Sequence, residues 1–70
     1  MAFGYINEEK RQLRLVSNDS TDEMILACVS RRPDGKYRWF SNLWNSQGRT
    51  WHDDWYECLQ SAARVRGIHL

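Results

Sequence analysis

Histidines, cysteines and carboxylates are where catalysis would begin in a chain of 70 residues, and their spacing here supports none. His52 and His69 have no acid–base partner at a fixed spacing, as general acid–base chemistry would require. Cys28 and Cys58 lack CxxC spacing. Zinc would need Cys28, His52, Cys58 and His69 to converge, a set with no recognised pattern. The two thiols read as small buried hydrophobes, one on a strand and one on a helix, with a disulfide or a metal site as the alternatives. No serine sits in a nucleophile-elbow context, and no glycine-rich loop is built to cradle phosphate. Neither an enzyme nor a cofactor is expected.

Binding chemistry is better represented. Net charge is only +1, but it is unevenly spread: residues 1–23 balance to −2, residues 24–52 to +4 and residues 53–70 to −1. The positive segment holds Arg31, Arg32, Lys36, Arg38 and Arg49, interleaved with Phe40, Asn42 and Trp44. Cations reach phosphates, flat rings stack on bases, and Asn or Arg reads base edges. These eight residues are the candidate site. Alternation along a strand from Lys36 to Trp44 would put Tyr37, Trp39, Ser41 and Leu43 on one face and Lys36, Arg38, Phe40, Asn42 and Trp44 on the other. In the competing reading, Phe40 and Trp44 cover a second small cluster beneath the N-terminal segment and Arg38 is merely solvated. Trp51, His52 and Trp55 gather near a helix start, where core packing by the two tryptophans is the favoured reading.

Three elements must position these residues. Arg32-Pro33-Asp34-Gly35 is strong turn chemistry: Pro33 pre-sets φ, Asp34 bonds its local backbone and Gly35 accepts positive φ. It predicts antiparallel flanks, which favours a strand over 23–31, while Thr21 as a cap, acids first, arginines last and Pro33 beyond leave a helix as the alternative. The aromatic run after the turn suits a strand, Asn45–Gly48 is a second turn cluster, and Arg49–His52 returns as a short third strand. Asp54 with Glu57 begins a helix of about 54–66, Trp55, Cys58, Leu59, Ala62 and Val65 form its apolar stripe, and Gly67 stops it.

Upstream, Phe3–Ile6 either pairs with Gln12–Val16 as a hairpin, the preferred reading, or a short helix starts at Asn7. Ser17–Asp22 reads as a loop. The expected fold is therefore α+β: a small antiparallel meander of three or more strands packed on one C-terminal helix. It forms one domain, with residues 1–22 as an N-terminal hairpin or short helix plus loop and 23–67 as the sheet-plus-helix unit. A chain this short buries only about 60 % of its unfolded surface. No apolar run approaches the ~18 residues of a membrane span and no leader pattern is visible, so the expected location is cytoplasmic.

The run from Arg31 to Trp39, then Gln47-Gly48-Arg49, then an acid-capped helix bearing Ala62-Ala63, resembles two families of small ββ(β)α units. One is the arm-site-binding domain of tyrosine integrases, the other the YegP-like family. The resemblance covers about residues 25–66. The integrase likeness implies a sheet laid against DNA, with Arg31, Lys36, Arg38 and Asn42 as contacts. The chain departs from that pattern by carrying Phe40 and Trp44 where polar or basic residues are usual. Two functional expectations follow. One is a small module binding nucleic acid through the basic, aromatic face of its hairpin. The other is a stand-alone accessory or inhibitor protein of a phage or mobile element, which holds a host protein through exposed aromatics. An aromatic strand edge also invites a homodimer.

Overall fold

The computed structural model describes residues 2–16 and 24–70, and the expected Ser17–Asp22 loop, with Thr21, lies outside them. Six strands and one helix follow in the order β1 (Ala2–Asn7), β2 (Gln12–Leu15), β3 (Met24–Arg31), β4 (Tyr37–Ser41), β5 (Ser46–Gln47), α1 (Trp55–Arg66) and β6 (Ile68–His69). They build one sheet in the order β5-β4-β3-β2-β1-β6. All neighbours are antiparallel except β1 and β6. The fold is the expected α+β meander on a C-terminal helix.

Local chemistry accounts for the first two hairpin turns described, β1–β2 and β3–β4, and for the helix. At the tip of β1–β2, Asn7 Oδ1 accepts from the Lys10 amide at 2.9 Å, an Asx-type turn. At the tip of β3–β4, the Arg32 carbonyl accepts from the Gly35 amide at 2.9 Å, and Gly35 takes φ 87°, where a side chain would be strained. Asp54 caps α1, accepting from the Glu57 amide at 3.1 Å, and Gly67 ends the helix at φ 69°.

The helix lies on one face of the sheet, across β1, β2, β3, β4 and β6. Leu13, Leu26, Ala27 and Trp39 from the sheet meet Cys58, Leu59, Ala62 and Ala63 from the helix. Val65, expected in this stripe, is 68 % exposed, and Ala63 takes its place against the sheet. Leu26 and Ala27 are both buried although they are adjacent in a strand. The β2–β3 register explains this: Leu13 faces Ala27 but Arg14 faces Ile25, so Leu26 is the extra residue of a β-bulge and both side chains turn inward.

Three expectations need correction. β4 ends at Ser41, not Trp44, because the Ser41 Oγ accepts from the Trp44 amide at 3.0 Å and closes a turn over 42–45. The return strand is Ser46–Gln47, while Arg49–His52 contributes a single bridge between His52 and Tyr37. The aromatic strand β4 is thereby interior to the sheet, with β5 beyond it, and is not the edge strand that was expected. β6 was not anticipated at all. It docks beside β1 because Gly4 has no side chain: a Cβ there would stand 2.6 Å from Ile68 Cγ2 and 2.9 Å from the Arg14 carbonyl oxygen.

Candidate nucleic-acid interface

Because α1 covers one face only, the opposite face of the sheet carries no helix among the described residues. Its side chains follow from the register. Asn7, Gln12, Cys28, Phe40 and Gln47 lie side by side across five strands. Tyr5, Arg14 and Ile25 form a second row. Ser30 with Arg38 begins a third, and Phe3 with His69 closes the far corner at a ring separation of 5.8 Å.

The cationic end of this face is organised by Trp51. The His52–Tyr37 bridge brings Trp51 alongside Arg38, and two guanidiniums lie over its ring, Arg38 at 4.5 Å and Arg32 at 4.2 Å from the centroid. Stacking uses the flat face of a guanidinium and leaves its N–H edge for another partner. For Arg32 that partner is Asp34, bound through Nε at 3.2 Å and Nη2 at 2.8 Å. Lys36 Nζ donates to Asp53 at 2.7 Å. Arg38 has no carboxylate partner among the described residues. Further along, Arg14 donates to the neutral Gln12 Oε1 from Nε and Nη2, at 3.1 and 2.7 Å.

The carboxylates respond to this field. Asp34 is held below the usual carboxylate range first by the Arg32 hydrogen bond and then by the Lys36 amide. Asp53 is lowered chiefly by Lys36. Both ion pairs are well exposed, with side chains 40 % or more accessible, so they are weak and open to competition from another anion.

Of the eight residues singled out from the sequence, Arg32, Lys36, Arg38 and Phe40 come together on this face. The others do not. Arg31 faces Tyr37 and leaves on the helix side, and Asn42 sits exposed in the turn after β4. Arg49 is exposed in the loop after β5 and lines a cavity with Ser61 and Val65 of the helix. Trp44 packs against the core, edge-on to Trp39 at 6.2 Å and beneath Arg66 at 4.9 Å. Trp51, expected with Trp55 in the core, lies outside it, whereas Trp55 does pack there. Sequence reasoning missed Trp51, Arg14 and Tyr5. The expected return of 49–52 beside the aromatic strand hinted at the first, but the face that residue 51 takes is set by the Tyr37–His52 bridge.

The cysteines are free and separated by the sheet, Cys28 in the outer row beside Phe40 and Cys58 buried on the face of α1 that meets the sheet. Among the described residues no group of histidines, cysteines and carboxylates is placed to hold a metal ion. No described helix is long and apolar enough to cross a membrane. No family model, curated protein or solved structure matches the chain.

Proposed function

We propose that this protein is a non-enzymatic binding module that holds single-stranded nucleic acid across the helix-free face of its sheet. The observation that carries the reading is the cluster of Arg32, Arg38 and Lys36 around Trp51, continuous with Phe40, Gln12 and Gln47. Cations there meet phosphates, Phe40 and Tyr5 offer flat surfaces to unstacked bases, and the amides supply donors and acceptors. A broad sheet face with rings in its rows suits splayed bases better than a duplex, whose bases are already stacked. The likeness to arm-site-binding domains, which lay a sheet on DNA, points toward the same face.

A labelled single-stranded oligonucleotide titrated at two salt concentrations tests this. Four cations on the face, Arg14, Arg32, Lys36 and Arg38, give an expected log–log salt slope of roughly −3 for a single strand. Arg38→Ala should weaken binding by about tenfold, the scale of one charge-assisted contact. Unchanged affinity in Arg38→Ala would remove the reading.

A second reading has one specific observation behind it. At the end of the face remote from Trp51, Phe3 and Ile25 are 58 % and 44 % exposed, and Val16, hydrogen-bonded to Phe3 through its amide, is 48 % exposed. Such a patch suits a host-protein partner. Under it, Phe3→Ser and Ile25→Ser abolish binding to that protein while Arg38→Ala has little effect.

A further inference from the structure

We infer a second site on the opposite side of the sheet: a cavity that takes a small carboxylate carried on a compact apolar body. The cavity, of about 330 Å³, lies between the β5 edge and the helix and falls at the small end of ligand pockets. Trp39 and Val65 supply its apolar walls. Its polar lining residues are Arg49, His52, Gln47, Ser46, Thr50 and Ser61.

Three features select an anion. No carboxylate among the described residues lines the cavity. The one next in sequence, Asp53, is turned to the far face and held there by Lys36 at 2.7 Å. Arg49 has no ion-pair partner among the described residues, so a cationic ligand would meet an uncompensated guanidinium.

The third feature is the Trp39 indole N–H. Trp39 is only 4 % exposed, and no described residue accepts from its Nε1. Among the described residues no side-chain nitrogen is both sealed away and without a partner, so this donor keeps some access, and Trp39 lines the cavity. It stays open because residue 48 is glycine: a Cβ on Gly48 would stand 2.5 Å from Trp39 Nε1. A donor without a described acceptor, in the same cavity lining as a guanidinium, is satisfied by a carboxylate oxygen. The apolar walls favour a carboxylate with a compact organic body over a bare inorganic anion.

The test is a ¹H–¹⁵N titration of the full chain with benzoate, and with benzamide as its neutral counterpart, following the Trp39 indole and Gly48 amide signals. Benzoate should shift both saturably at millimolar concentration, and benzamide should bind at least about tenfold more weakly. Arg49→Gln, on an exposed loop, should cost benzoate about tenfold and leave benzamide unchanged. Lys10→Ala, in the β1–β2 turn and not lining the cavity, should change neither. Equal binding of the two ligands, an equal loss in Lys10→Ala, or an unmoved Trp39 indole signal would overturn the inference. None of these outcomes bears on the nucleic-acid face, which shares no cation with this cavity.

Discussion

Trp51 concentrates charge on the outer face because its ring holds two guanidiniums that would otherwise repel one another. Asp34 ties up the edge of Arg32, whereas the edge of Arg38 meets no carboxylate among the described residues. Arg38→Ala should therefore cost more nucleic-acid affinity than Arg32→Ala. The same reasoning makes Asp34→Asn and Asp53→Asn strengthen binding severalfold, since each releases a cation, and a loss of affinity in both would contradict the account. The sign in pH follows from the lowered carboxylates. Their contribution to the hairpin is present above the unfolded value of 3.8 and is lost as pH falls through and below it. Acid should loosen the β3–β4 tip first, which amide exchange at Gly35 and Lys36 reads. Cys58 behaves in the opposite sense. Burial pushes its thiol up to about 11 from a usual 9.0, so the protein loses stability as pH rises between those values, because the unfolded thiol ionises first. At neutral pH, Cys28 should alkylate readily and Cys58 only on unfolding. Equal rates, followed by mass spectrometry, would show that the helix does not shield it.

Caps and close backbone approaches decide the elements. Asp54→Ala removes the side-chain acceptor for the Glu57 amide and should cost about 1 kcal/mol in denaturant unfolding. Gly4→Ala forces a Cβ against the Arg14 carbonyl and Ile68, and should cost about 1–3 kcal/mol and release β6. How far the sequence discloses these elements depends on how locally each is encoded. The helix is legible because Asp54, Glu57 and Gly67 lie within one element, and the Arg32–Gly35 turn is legible because four neighbours define it. The bulge at Leu26 is not, since only pairing with β2 reveals which residue is extra. β6 is illegible for a similar reason: its partner lies at the other end of the chain, and Gly4 reads as mere flexibility until Ile68 is seen above it. Of the candidate site, the cations of the Arg32–Arg38 hairpin were visible from the sequence. Trp51 was not, because its side of the sheet is set by one bridge between residues 37 and 52.

As a whole the described molecule is a sheet with a helix on one side, and its two faces differ in composition. The helix side carries the core, where Leu59 is fully buried. Leu59→Ala should cost about 2–5 kcal/mol, a large share of the stability of so small a domain. The other side holds rows of aromatics, amides and cations that the core does not use. Short edge strands at both ends, β5 and β6, leave little edge for strand addition, so the face is the larger surface on offer. The most direct test of its role is the salt dependence of single-stranded oligonucleotide binding, measured for the parent protein and for Arg38→Ala. The account predicts saturable binding with a slope of roughly −3, shallower by about 0.7 in the variant, and weaker binding of the matching duplex. No saturable binding at low salt, or a slope near zero, would contradict it.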